Sequence, residues 1–191
     1  MTKYFDNWKL NDVLAVGAAS RAQGAFFFIG DILDPKNFLR QEATSAPNSR
    51  QVHVLISYNF ELFLNAAVFL SSNKTTEKEI IGEAKIGHKL DKLWNLVTSA
   101  DIKNIIGIKN IEKKSAGISE YYEIKFNDES IIIIHDFNNI RYDISDIRGE
   151  DGNKKLRPTI KEEGSMDVTL DVLKKISTKL VDHLFSKYPQ K

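Results

Sequence analysis

The chain has 191 residues, 42% of them hydrophobic and 28% charged, with 27 Lys and Arg against 26 Asp and Glu. A chain of this size buries a substantial core without metals or disulfides. Its formal charge of +1 supplies no global field for a polyanion, so any nucleic-acid contact needs a local patch. Cysteine is absent, which excludes disulfides, thiolate zinc sites and a cysteine nucleophile together.

The opening stretch, MTKYFDNWKLND, is too polar for a signal peptide. The run AFFFIG falls far short of the roughly 18 apolar residues that a membrane span needs. A single cytoplasmic domain over residues 1–191, with no membrane contact, is the expectation.

Residues 10–33 read as a helix that Asn11 or Asp12 can cap, with Leu14, Ala18, Ala22 and Ala25 near one face. Gly17, Ala18, Ala19, Ala22, Gly24 and Ala25 make it small-sided, so another helix can pack closely against it. Asp34-Pro35 ends it, and residues 40–49 read as a polar loop. The strongest helix signal is Val52, Leu55, Ile56, Asn59, Leu62, Phe63, Ala66 and Leu70, recurring at three and four. Phe60, Leu64 and Val68 make the opposite side apolar too, so this helix is expected to be central. SSNKTTEKE reads as a loop or a short solvated turn. A third helix after Gly87 places Leu90, Leu93, Trp94 and Val97 on one face.

Residues 101–118 are ambiguous, since Ile102, Ile105 and Ile106 suit a helical turn while Gly107 and Gly117 interrupt it. EYYEIKF and ESIIIIHDF around a short polar turn predict a β-hairpin near residues 120–136, because adjacent β-branched residues disfavour helix. From about Met166 to Tyr188 an amphipathic helix carries Leu173, Ile176, Leu180 and Leu184 on its apolar stripe. Lys174, Lys175, Lys179 and Asp182 lie outside that stripe.

No GxGxxG, Walker, HExxH, GxSxG or EF-hand pattern is present in the sequence. Of the four histidines, His53 and His183 lie on helices without an acidic partner at ligand spacing, and read as surface or boundary residues. His88 can cap the helix that it opens or bond to a neighbouring backbone. The densest chemistry is HDFNNIRYD, residues 135–143. An extended chain turns His135 and Asp136 to opposite faces, so the two cannot form a base–orienter pair. An imidazole, the Arg141 guanidinium and the Tyr142 hydroxyl offer acid–base and phosphate-binding roles. The competing reading is an anchor in which Arg141 pairs with Asp143 or Glu61.

Several of these pieces resemble the HEPN superfamily (higher eukaryotes and prokaryotes nucleotide-binding). They are Glu61 to Ala66 on a buried helix, Gly87 to Leu93 opening the next, and Arg141-Tyr142 in a later turn. The resemblance implies an up-down helical bundle, usually dimeric. In catalytic members it implies a metal-independent ribonuclease site at the dimer interface, built from an Arg, a polar residue directly after it and, four to six positions later, a His. Arg141 matches that Arg, but positions 146–148 are Asp146, Ile147 and Arg148.

The fold expected is therefore mainly α, a HEPN-like bundle with a small hairpin insert. The function expected is a non-catalytic HEPN-like module that binds RNA, a nucleotide or a protein partner in a toxin–antitoxin or defence setting. A homodimer is expected, with a nucleotidyltransferase or an antitoxin as protein partner, and neither cofactor nor metal. The alternative is a diverged ribonuclease in which Arg141 holds phosphate and His135 or His88 is the acid–base group, with Tyr142, Asp136, Asp143 and Glu61 as binding residues. A purely structural interaction protein is the third reading.

Overall fold

The computed structural model describes residues 7–33, 46–116, 119–136 and 166–188. Arg141, Tyr142 and Asp143 lie outside the described residues. In chain order the elements are α1 (Leu10–Leu33), α2 (Ala46–Ser71), α3 (Glu77–Ala84), α4 (Leu90–Leu96) and α5 (Ala100–Ile106). There follow β1 (Ile108–Ala116), β2 (Ser119–Phe126), β3 (Ile131–His135) and α6 (Met166–Ser186). The chain is mainly helical, with one small antiparallel sheet.

α2 is the central element. Phe60, Leu62, Phe63, Leu64, Ala66, Ala67, Val68 and Phe69 are all buried, so apolar side chains are enclosed on several sides, as its sequence predicts. The stretch His53–Ser71 is long and apolar enough to cross a membrane by length and composition, and 61% of that window is buried inside the fold. α1 packs along α2. Its alanines Ala15, Ala18, Ala19 and Ala22 are buried, so the close approach predicted for its small face is made to α2 of the same chain. Asn59 crosses this seam, its Nδ2 donating to the Ala22 carbonyl at 2.6 Å.

Asn11 and Asp12 sit inside the first turn of α1 rather than at its cap. Asn11 Nδ2 donates to the carbonyls of Phe69 (3.0 Å) and Ser72 (2.7 Å). Asp12 accepts from Tyr188 Oη at 2.7 Å and from Lys187 Nζ at 3.2 Å. Trp8 stacks on Tyr188, ring centroids 4.2 Å apart, and meets Phe185 edge-on. These contacts tie the start of α1 to the end of α6. The stripe predicted for α6 is buried at Leu173, Ile176, Leu180 and Leu184.

Three further expectations are corrected. α2 begins at Ala46, within the stretch read as a loop, with Pro47 in its first turn, where its missing N–H costs nothing. The polar run after α2 ends in the first turn of α3. Thr76 caps it, its hydroxyl accepting from the Glu79 N–H at 3.4 Å, and Ile80 is the residue that it buries. The hairpin is two-thirds of a sheet: β1 joins β2 and β3 in the order β1-β2-β3, both pairs antiparallel.

Gly107 resolves the ambiguity of residues 101–118. It caps α5 at φ 76°, its N–H donating to Lys103 O at 2.9 Å, and the chain leaves it as strand. Tyr122, Ile124, Ile132 and Ile134 alternate onto the buried face, with Tyr122 opposite Ile134 and Ile124 opposite Ile132. β3 packs against α2, and β1 against α4.

Candidate functional site

Along the apolar α2, polar residues recur every four positions: His53, Ser57, Glu61 and Asn65. That spacing lays them along one side of the helix. Glu61 faces the turn ahead of α4, where Gly87 adopts φ 73° and Lys89 N–H donates to the Gly87 carbonyl at 2.7 Å. Only a residue free of a Cβ takes that left-handed conformation without strain.

The turn brings His88 Nδ1 into direct contact with Glu61 Oε2, across 27 positions of sequence. Their side chains are 29% and 14% exposed, so the pair is partly shielded yet reachable from solvent. The capping role expected of His88 is not what the structure shows. Lys89 is the N-cap of α4, no side chain caps that helix, and the His88 ring goes to Glu61 instead.

Behind this pair the sheet contributes a second polar group. The Tyr122 hydroxyl lies 3.1 Å from the His88 carbonyl and 3.1 Å from Asp136 Oδ2. Lys113, opposite Tyr122 in the β1–β2 register, places Nζ 3.2 Å from Asp136 Oδ2 and 2.8 Å from Glu120 Oε2. Burial, and then the neighbouring Asp136 carboxylate, push the Tyr122 phenol far up, so it stays protonated and donates throughout the ordinary pH range. Burial pulls the Lys113 ammonium down, but the Glu120 and Asp136 carboxylates outweigh it and hold its pKa above the ordinary lysine value. Asp91, in the first turn of α4, keeps a buried Oδ1 without a hydrogen-bond partner among the described residues.

Of the residues expected at the site, Glu61 and His88 come together, and Asp136 joins them through Tyr122. His135 and Asp136 diverge as their alternation predicts. Asp136 is 3% exposed and faces Tyr122, whereas the His135 ring meets His53 edge-on with centroids 4.7 Å apart. Sequence reasoning missed Tyr122, Lys113 and Asp91. The available signal was a tyrosine at an inward position of a strand, since a buried phenol needs an acceptor. Among the described residues, no group of three or more His, Asp or Glu could hold a metal ion.

His53 sets a pH dependence. Burial lowers its pKa from 6.5, so the fold holds it neutral while the unfolded chain takes up a proton near pH 6.5. The stability from this group is complete above pH 6.5 and is lost as pH falls through the folded value. His183, lowered by burial and then by Lys187, acts with the same sign. Urea unfolding midpoints are expected to fall between about pH 7 and pH 5, and to fall less in His53→Phe, which keeps an aromatic ring and removes the titration. Equal slopes for parent and variant would show that His53 carries no share of it.

Comparison of the chain with protein-family models, with curated proteins and with solved structures finds no match.

Proposed function

We propose that this chain is a HEPN-like, non-catalytic binding module for single-stranded RNA or a nucleotide, acting as a homodimer. The observation that carries this reading is the Glu61–His88 contact. Two of the three segments on which the resemblance rests, Glu61 to Ala66 and Gly87 to Leu93, meet in space through a partly shielded polar pair. In this reading an up-down arrangement of the long helices α1, α2 and α6 forms the scaffold. The described polar group carries the carboxylates Glu61, Asp91, Glu120 and Asp136 against the ammonium of Lys113. Phosphate binding therefore requires an added cation, the role assigned to Arg141, whose guanidinium makes bidentate contacts to phosphate oxygens.

A second reading, a diverged metal-independent ribonuclease, draws on the same contact. A carboxylate on His88 Nδ1 is the arrangement that orients a general base. Positions 146–148, where that motif has its histidine, hold Asp146, Ile147 and Arg148, which favours binding without cleavage.

The dimer draws on α1. Its outward residues Gly17, Ser20, Arg21, Gly24, Phe27 and Phe28 share one side, with Phe27 67% and Phe28 56% exposed. A Cβ at Gly17 or Gly24 would meet nothing within 4 Å, so packing within the chain does not require either glycine.

One experiment tests this reading. Fluorescence anisotropy with a labelled single-stranded RNA of about 12 nucleotides is measured on the parent, His88→Ala and Arg141→Ala, with melting curves, a cleavage gel and light scattering. Expected are a mass near twice 21.7 kDa and salt-sensitive binding. Both variants are expected to bind about tenfold more weakly with little change in melting, a loss of about 1.4 kcal/mol of binding free energy, and no cleavage. Cleavage by the parent that His88→Ala abolishes selects the ribonuclease. A monomer without RNA or nucleotide binding at about 100 μM overturns the proposal. If Arg141→Ala instead melts several degrees lower and the parent binds no RNA, Arg141 is an anchor.

A further inference from the structure

The His88 carbonyl lies one residue ahead of the N-cap of α4, and the first intrahelical bond goes to Lys89 O, from the Leu93 N–H at 2.9 Å. Among the described residues no helical N–H bonds to the His88 oxygen, and the Tyr122 hydroxyl reaches it at 3.1 Å from the buried face of the neighbouring strand. We propose that Tyr122 is a positioning residue for His88, fixing the His88 peptide so that its imidazole stays on Glu61; this rests on reading Glu61–His88 as the site.

The proton inventory supports the assignment. A phenol has one proton, and Tyr122 stands 3.1 Å from each of two acceptors, His88 O and Asp136 Oδ2. Lys113 Nζ, 3.2 Å from that same Asp136 oxygen, competes for the carboxylate and weakens its pull, so the one phenol proton is shared between Asp136 Oδ2 and the His88 carbonyl. Gly87, at φ 73°, precedes His88 without a side chain to restrain the turn. Tyr122 supplies a restraint from across the fold. β1 and β2 hold Lys113 and Tyr122 in register as a pair, and Asp136 N–H, bonded to Glu120 O at 3.1 Å, fixes the carboxylate at the strand end. The sheet thus sets the geometry of a pair carried wholly by helix and turn.

The test reads a single proton in the full chain without RNA. Where an imidazole nitrogen contacts a carboxylate oxygen, one proton sits between them whichever group holds it. The exchange of that His88–Glu61 proton with water is measured by proton NMR. Tyr122→Phe, which keeps the ring and removes the hydroxyl, is expected to exchange at least about tenfold faster. Lys113→Met, a change at a partly exposed site that leaves Asp136 to draw the hydroxyl proton, is expected to exchange about threefold faster. A folded Tyr122→Phe whose exchange lies within twofold of the parent overturns the proposal. If Tyr122→Phe does not fold, unchanged exchange in Lys113→Met overturns it. Because no ligand is present, absent RNA binding would sink the functional reading and leave this result standing. Normal RNA binding beside unchanged exchange would do the reverse.

Discussion

Phe63→Ala is expected to lower the unfolding free energy by about 3–5 kcal/mol, the range for removing a fully buried phenyl ring. Phe63 is 1% exposed and belongs to the main cluster shared by α2, α4, α5, the sheet and α6. The loss has two parts: the transfer energy of the ring, and the cavity left where neighbours on several elements cannot all collapse. For a chain of this length, each kcal/mol lowers the melting temperature by roughly 2–4 °C, so a drop of roughly 6–20 °C is expected. Thermal melts and urea titration together check it, with an unchanged m-value showing that the folded state, rather than the unfolded one, has changed. A drop under about 1 kcal/mol would mean that α2 does not run through the centre of the core.

Leu180→Asp is the second large effect, and it asks whether α6 belongs to the same cooperative unit. Leu180 is fully buried, and α6 packs on α1 and α5. The substitution discards the burial of the leucine and places a carboxylate among apolar side chains, so a cost of roughly 4 kcal/mol or more is expected. Lys179→Ala, next to it on the exposed side, is expected to stay within about 0.5 kcal/mol. Hydrogen exchange distinguishes the outcomes. One cooperative unit over residues 1–191 requires protection in α2 and α6 to fall together. Lost protection in α6 alone, with α2 unchanged, would make α6 a separately unfolding element.

The long helices were legible because each has a face that its neighbours cover. α6 shows this most plainly, with Leu173, Ile176, Leu180 and Leu184 buried and Lys174, Lys175 and Lys179 exposed. β2 and β3 were legible for the same reason at period two. β1 was not, because IKNIEKKSA buries little beyond Ile108 and Ile111. Its three lysines and Glu112 are largely exposed, so neither period is written there. α3 buries Ile80, too few residues for a periodicity, although Thr76 with Glu79 three positions later was a visible start signal.

At the site the sequence marked Glu61 and His88 singly. Their meeting depends on how the Gly87 turn is aimed, which is a tertiary fact. His88 was read as a cap because a histidine opening a helix can act locally, and here a carboxylate across the fold competes better than a nearby amide. Lys113 and Tyr122 became partners of Asp136 only through strand register, and half of that register lies in the strand that periodicity did not reveal.

The contacts of Trp8 and Asp12 with Phe185, Lys187 and Tyr188 join segments at opposite ends of the described chain. During synthesis α6 is the last of these elements to leave the ribosome. The α1–α2 pair and the three consecutive strands are local in sequence and can assemble before it. At roughly 5–20 residues per second, the apolar sides of α1 and α5 that α6 covers stay bare for several seconds after α5 has been made. The nascent chain, rather than the finished molecule, therefore carries the greater risk of aggregation. A chain stalled just before Met166 presents that unsealed groove to whatever chaperone attends the exit tunnel.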